Sequence, residues 1–169
     1  ALLDPDGGCF RFPDSDGTII EFDELTGMLV RRITPGGETI AVQQWASNNY
    51  NPLRVERTVT QNGDTITELF LYSYTSISYD LVLQSVTLQR KVNSGSFQNI
   101  QRANYTYYAE GDLHGDAADL KTVTTQEWTG STWQDTGTSY YRYHKESNSS
   151  SSSSSSSVSG NSNPLHLLK

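Results

Sequence analysis

Alternating apolar and polar residues mark the middle of the chain as a series of β-strands. Residues 53–56 alternate strictly, up to Arg57, which is the period-two pattern of a strand with one buried face. Asn62-Gly63 follows, a dipeptide that favours the two-residue turn of a β-hairpin, and residues 66–74 form the predicted return strand. Similar patterns predict a second long hairpin over 82–108 and a third over 120–143.

Shorter strands precede these hairpins. The pattern predicts strands at 18–22, 28–33 and 38–42, and it predicts loop over residues 1–16. A Pro-Gly-Gly turn separates the last two of these strands, since proline fixes one φ angle and glycine accepts a positive one. The short strands therefore form a meander over 16–45, before the long hairpins of 53–143.

A glycine and a tyrosine recur at matching places in the three long hairpins. The turn glycines lie 32 and 35 positions apart, and a tyrosine trails each of them by 11 to 13 positions. Recurrence at a period of tens of residues is typical of repeat architectures, in which each unit buries its apolar face against its neighbours. The repeat-defining turn and packing residues, with the turn glycine of the short meander included, are Gly27, Gly63, Gly95, Gly130, Tyr74, Tyr107 and Tyr143.

These patterns predict an all-β fold, an antiparallel meander of β-hairpins that forms a twisted or spiralling sheet strip. The β-hairpin region is assigned to residues 1–145, with at most one helical turn, near residues 116–120. Residues 146–163 are rich in Ser and Asn and cannot bury apolar surface, so we expect a flexible linker. Residues 164–169 look like the start of a truncated following element.

Charge and cysteine content narrow the possible functions. The chain has 12 basic and 19 acidic residues, a net charge of -7, and no basic footprint for nucleic acid. Cys9 is the sole cysteine, which excludes an intrachain disulfide and a cysteine-based zinc site. The sequence contains no apolar run of 18 residues, so no membrane insertion is expected from this segment.

Acidic turns are the candidates for a metal site. Asp4-Pro5-Asp6-Gly7 and Asp14-Ser15-Asp16-Gly17 resemble part of a calcium loop, but neither has the full ligand spacing of an EF-hand. Aspartate also favours turns because its side chain bonds to nearby backbone. We therefore interpret both segments, and the Asp residues of 112–119 near His114, as turn chemistry and expect no metal or other cofactor.

No residue is assigned a catalytic role. The three histidines, His114, His144 and His166, lie in no nucleophile elbow or zinc motif. A glycosidase needs two carboxylates that meet in space rather than in sequence, so that reaction stays open as a minor alternative. The strand and turn glutamates are expected on solvated faces, namely Glu21, Glu24, Glu56, Glu68 and Glu127.

The aromatic residues allow two interpretations. The chain has 10 tyrosines and 3 tryptophans, and rows of such rings can stack on sugars. The candidate ligand-stacking residues are Trp45, Trp128, Trp133 and Tyr107, with Tyr105 and Tyr108 nearby. Cross-strand packing between hairpins is the alternative, and recurrence of the tyrosines in every unit favours it.

Residues 16–42 combine short strands with glycine turns. The segment runs Asp16-Gly17-Thr18-Ile19-Ile20-Glu21-Phe22-Asp23, then Glu24-Leu25-Thr26-Gly27, a short strand and Pro35-Gly36-Gly37. It resembles a repeat unit of the RHS/YD-repeat family. Phe22-Asp23 stands where the family has Tyr-Asp, and Tyr79-Asp80 lies away from the usual place. Residues 53–143 are similar, more loosely, to the longer units of large bacterial RHS-like proteins.

The resemblance implies a fold and a setting. RHS-like proteins form a β-strip that spirals into a hollow shell, commonly secreted or on the cell surface, which can enclose a C-terminal domain or mediate adhesion. On this basis the chain is expected to be a structural, non-enzymatic segment of an extracellular or cell-surface protein. Its expected partners are neighbouring repeats of the same polypeptide, and an enclosed C-terminal domain or a surface glycan. A carbohydrate-binding or adhesive β module is the alternative function.

Overall fold

A computed structural model describes residues 2–3, 8–47 and 50–144 of the chain. These residues form an all-β fold with one antiparallel sheet of eleven strands and no helix, which confirms the predicted fold class. The strands are β1 (Leu2–Leu3), β2 (Cys9–Pro13), β3 (Ile19–Asp23), β4 (Leu29–Ile33), β5 (Thr39–Trp45), β6 (Pro52–Gln61), β7 (Asp64–Ile77), β8 (Asp80–Val92), β9 (Gln98–Tyr107), β10 (Leu120–Trp128) and β11 (Trp133–Tyr140).

The strand order in the sheet is the strand order in the chain. Each strand pairs with the strands before and after it, so the topology is a pure meander without crossovers. The prediction of loop over residues 1–16 is wrong, because Cys9–Pro13 forms β2 and pairs with β3. Turn-forming Pro, Asp and Gly residues on both sides conceal this short strand in the sequence. The predicted linker 146–163 and the element 164–169 lie outside the described residues.

The turn between β6 and β7 has the predicted chemistry. Asn62 and Gly63 have φ angles of 54° and 87°, and positive φ at both central residues is the requirement of a type I′ hairpin turn. In place of the helical turn expected near 116–120, the chain makes a turn in which the Asp119 backbone N–H donates to the Asp116 carbonyl at 3.0 Å.

The sheet has one apolar and one polar face across its later strands. Side chains that are partners across neighbouring strands share a face, and alternate residues of a strand point to opposite faces. The term "apolar face" refers below to the surface formed by Val55, Phe70, Tyr72, Val86, Leu88, Ala103 and Tyr105. We call the polar face the opposite surface, formed by Ser73, Ser85, Arg102, Asn104, Thr124 and Gln126.

Little of this sheet is covered by other parts of the chain. Among the described hydrophobic residues, only Leu69 and Tyr108 are buried, with 3% and 6% of their surface exposed. Tyr108 is covered by the loop 109–119, where Gly115 approaches so closely that an added Cβ would lie 2.2 Å from the tyrosine ring. The described residues therefore form one layer, whereas a closed domain usually packs two layers around a core.

Candidate functional site

A concave region of about 580 Å³ lies on the apolar face between β7 and β11. Phe70, Leu83, Val86 and Leu88 supply most of its floor, and each of these side chains is half-buried. Phe70 faces Leu88 across the β7–β8 ladder, so the floor is a continuous apolar surface built from adjacent strands. Such a surface loses water contacts when another molecule covers it, which favours binding.

Three tyrosine phenols tie the ends of the hairpins together. Tyr74 Oη donates to the Pro52 carbonyl at 2.9 Å, and Tyr107 Oη donates to the Leu83 carbonyl at 2.5 Å. Tyr108 Oη likewise donates at 2.6 Å to the carbonyl of Tyr141.

These acceptors share a position just past the end of a ladder. The β6–β7, β8–β9 and β10–β11 ladders end at Arg54, Ser85 and Tyr140, one or two residues from each of the three carbonyls. Each phenol thus supplies a donor where the next backbone N–H of the ladder is missing. Burial raises the pKa of Tyr74 and of Tyr107, as expected for neutral phenols held at these positions.

Tyr143, the third repeat tyrosine, makes a different contact. Its ring lies 6.2 Å from the Tyr108 ring in an edge-to-face arrangement, and its backbone N–H donates to the His114 carbonyl at 2.8 Å. The third hairpin is therefore joined to the loop 109–119 rather than to a strand.

Two further tyrosines face the cavity without a partner. Tyr72 on β7 and Tyr105 on β9 are half-buried, and their hydroxyls form no hydrogen bond with any residue in 8–47 or 50–144. Burial, and secondarily the proximity of Tyr105, raises the pKa of Tyr72. The Tyr72 hydroxyl is consequently a neutral donor and acceptor at the cavity wall.

A ladder of alternating charges crosses the sheet from the start of β5 to β8. Glu38 pairs with Arg57 at 2.6 Å, and Arg57 pairs with Glu68 at 2.7 Å. Glu68 also accepts two hydrogen bonds from Arg90, at 3.0 Å and 2.6 Å. Burial opposes ionisation of Glu68, but the hydrogen bonds from Arg57 and Arg90 outweigh it and lower the pKa of the carboxyl.

A second group of charges joins β2, β3 and β4. Glu21 is only 1% exposed and accepts hydrogen bonds from Arg11, at 2.7 Å, and from Arg31. Burial again opposes ionisation, and the hydrogen bonds from Arg31 and then Arg11 lower the pKa of Glu21. The expectation of solvated faces is therefore wrong for Glu21 and Glu68, because two arginines on neighbouring strands enclose each carboxylate.

The polar face carries rows of side chains that bond to one another. Arg102 donates to Gln126 at 2.9 Å, and Gln126 donates to Asp135 at 2.6 Å, across β9, β10 and β11. Hydroxyl pairs at 2.6 to 3.1 Å continue the pattern: Ser73–Ser85, Thr106–Thr122 and Thr124–Thr138. These bonds satisfy polar groups within the face and support the neighbouring ladders.

The candidate stacking aromatics do not form one platform. Trp128 and Trp133 are cross-strand partners at the β10–β11 turn, with ring centres 5.2 Å apart and ring planes inclined by 62°. The guanidinium of Arg102 lies 4.6 Å from the centre of the Trp133 ring and covers one of its faces. Trp45 ends β5, with strands β6–β9 between it and the tryptophan pair, and Tyr107 is engaged by its bond to β8.

The described acidic turns use their carboxylates on local backbone. Asp14 accepts from the Ser15 N–H at 2.6 Å, and Asp16 accepts from the Thr18 N–H at 2.8 Å. Hydrogen bonds from Thr18 lower the pKa of Asp16. Asp112 and Asp119 likewise accept from backbone N–H groups of loop 109–119. The turn at 4–7 and His166 lie outside the described residues.

Sequence reasoning missed Tyr72 as a cavity residue. Its signal was present in the alternate aromatic positions 70, 72 and 74 of β7, which place three rings on one face. The pattern alone did not distinguish a phenol that bonds within the fold from one that is free.

In the described part of the chain, no three His, Cys, Asp or Glu side chains are grouped as metal ligands. The same residues contain no helix of the length and apolarity needed to cross a membrane. Comparisons with known proteins add no relative: no protein-family model, no curated protein and no solved structure matches the chain.

Proposed function

We propose that this chain is a structural, non-enzymatic segment of a larger RHS-like repeat protein, a β-strip lengthened at its edges by neighbouring repeats. The observation that carries the proposal is the single layer of eleven strands in chain order, with two buried hydrophobic residues in the described region. A sheet of this kind gains stability by adding strands and by covering its apolar face, not by closing around its own core.

The hydrogen bonds from tyrosine phenols to backbone carbonyls support the proposal of a repeating strip. Tyr74 and Tyr107 occupy equivalent places after their turn glycines, and each donates to a carbonyl 22 or 24 positions earlier. A device that recurs with the repeat serves the scaffold, whereas a ligand site is usually local.

The use of the acidic side chains supports a non-enzymatic role. Glu21 and Glu68 are enclosed by arginines, and Asp14 and Asp16 hold turns, so these carboxylates serve the fold. The proposed location, outside the cell or on its surface, and the partners (neighbouring repeats, an enclosed domain or a surface glycan) come from the family resemblance of residues 16–42.

The outer edge of β11, which pairs with no other described strand, provides the test. Seven of its eight residues are exposed, and it contains no lysine, arginine or proline, the residues that usually protect sheet edges. We expect the isolated chain to associate through this edge in sedimentation experiments. The double substitution Gln134→Lys and Ser139→Lys should suppress association, although it makes the net charge less negative.

A matched control places the same two charges away from the edge. Ser94→Lys with Ser96→Lys alters the exposed β8–β9 turn and should leave association unchanged. A chain that stays monomeric up to its solubility limit would contradict the proposed role of the edge. Equal effects of the two double variants would attribute association to charge alone.

A carbohydrate-binding or adhesive module is the second candidate. The adjacent Trp128 and Trp133 rings at the β10–β11 turn favour it, because both are half-buried and one ring already interacts with a cation. A glycan-array signal that is lost in Trp128→Ala and kept in Trp45→Ala would support this function. An array without signal would exclude the carbohydrate-binding function.

A further inference from the structure

The phenols of Tyr72 and Tyr105 differ from the other tyrosine hydroxyls of the sheet. Tyr74, Tyr107 and Tyr108 all donate to backbone carbonyls, at 2.9, 2.5 and 2.6 Å. Tyr72 and Tyr105 have no such partner among residues 8–47 and 50–144, although both are half-buried. Neither hydroxyl is among the buried polar atoms that lack a partner, so both are open to solvent and available to a molecule outside the described chain.

The region beside these hydroxyls has the size and surface of a small-molecule site. Its volume of about 580 Å³ lies within the usual range for ligand pockets. Its floor of Phe70, Leu83, Val86 and Leu88 is apolar, and the polar groups stand at its wall. Small-molecule sites commonly combine an apolar lining with a few hydrogen-bonding groups that fix the orientation of the ligand.

The charges around the cavity favour an uncharged occupant. Among the described lining residues only Arg102 is charged, and its side chain belongs to the polar face, where the guanidinium bonds to Gln126 and stacks on Trp133. An ionic ligand would therefore lose water without gaining an ion pair.

A sugar also fits the cavity poorly. The sugar hydroxyls that meet the floor would face Phe70, Leu83 and neighbouring aliphatic side chains, which offer no hydrogen bonds. Polar lining residues such as Gln101 and Thr125 lie at the wall, and a hydroxyl covered without a partner is costly. A ligand with an apolar body and one or two acceptor atoms avoids this cost.

We propose that the cavity binds an uncharged, largely apolar ring compound whose carbonyl or ether oxygen accepts hydrogen bonds from Tyr72 and Tyr105. This activity goes beyond the structural role and does not depend on it. The aromatic rings of Phe70, Tyr72 and Tyr105 favour a planar ligand, because flat π systems pack on such rings.

The test uses coumarin and flavone, two neutral planar ring compounds with a carbonyl acceptor, titrated into the full chain and followed by NMR. We expect saturable shifts confined to β7–β11. The double variant Tyr72→Phe/Tyr105→Phe keeps both rings and removes both hydroxyls, and it should weaken binding about tenfold. Tyr79→Phe/Tyr140→Phe, at tyrosines that are 103% and 76% exposed, is the matched control and should bind as the unchanged chain does.

A further variant fills the cavity instead of removing hydroxyls from its wall. Ala103 lies on the apolar face between β8 and β10, so Ala103→Phe should fill the cavity and abolish binding, with the β-sheet signal in circular dichroism showing that the fold is kept. Absence of saturable binding to the unchanged chain would overturn the proposal. Equal affinity of the Tyr72→Phe/Tyr105→Phe variant would also overturn it, as would tighter binding of methyl β-glucoside than of either probe.

Discussion

Replacing Glu68 by glutamine tests whether ion pairs stabilise this one-layered sheet. Glu68 is 7% exposed, and its carboxylate accepts three hydrogen bonds, one from Arg57 and two from Arg90. Glutamine has the same shape but no charge, and its amide nitrogen would face a guanidinium that can only donate. Hydrogen bonds to charged groups contribute about 1.5–3 kcal/mol each when buried. Because the two arginine side chains are 35% and 44% exposed, water recovers part of that loss.

We therefore expect Glu68→Gln to lower the free energy of unfolding by about 2 kcal/mol, which corresponds to a drop in Tm of about 4–8 °C for a chain of this size. The change in the free energy of unfolding is measured by urea denaturation monitored by circular dichroism. Glu127→Gln is the matched control, since Glu127 is an exposed strand glutamate without a hydrogen-bond partner in the described region, and should change stability by less than about 0.5 kcal/mol. Equal effects of the two substitutions would refute the claim that the charge ladder contributes to stability.

Three further predictions concern other contacts. Tyr107→Phe removes the bond to the β8 carbonyl and should cost about 1 kcal/mol in urea denaturation, whereas Tyr140→Phe, at an exposed ring, should cost nothing measurable. Gly115→Ala would place a methyl group 2.2 Å from a buried tyrosine ring and should cost about 1–3 kcal/mol, whereas Gly137→Ala, with its nearest atom at 3.6 Å, should be tolerated in the same assay. The lowered pKa of Glu21 predicts stabilisation that is complete above the ordinary glutamate pKa of about 4.3 and is lost as pH falls through the lower folded value; an acid titration unchanged in Glu21→Gln would contradict this.

The strands of this fold could be predicted because alternation and turn chemistry are local properties. Asn62-Gly63 is a case in which two residues determine a turn, and both adopt the positive φ angles that the turn requires. Strand β2 could not be found in the same way. Its five residues lie between turn-rich segments, and its pairing with β3 becomes evident only once the sheet is assembled.

The side-chain partners were less predictable than the strands. Tyr72 and Tyr74 lie two residues apart on one strand, yet within the described residues only Tyr74 of this pair donates to a carbonyl. The difference depends on where the β6–β7 ladder ends, which is not visible in the pattern of residues. The cavity on the apolar face depends on the same long-range geometry.

The burial of Glu21 and Glu68 follows from the one-layered architecture. In a two-layered domain the most buried side chains are apolar, because the second layer covers them from above. In this sheet the two carboxylates are covered instead by long side chains on the two neighbouring strands. Arginine is suited to this, since its methylene stem covers apolar surface while its guanidinium bonds to the carboxylate.

The two enclosed carboxylates lie on opposite faces of the sheet. Successive cross-strand partners place Glu21 on the same face as Leu69, the neighbour of Glu68, along the row Glu21, Arg31, Ala41, Glu56, Leu69. Each face thus has a polar cluster that is shielded without a second layer, while aliphatic side chains such as Val86 and Leu88 stay half-exposed. Ion pairs can be completed between adjacent strands, but an apolar surface needs a covering partner. The apolar face is therefore the part of this sheet that gains most from binding another molecule.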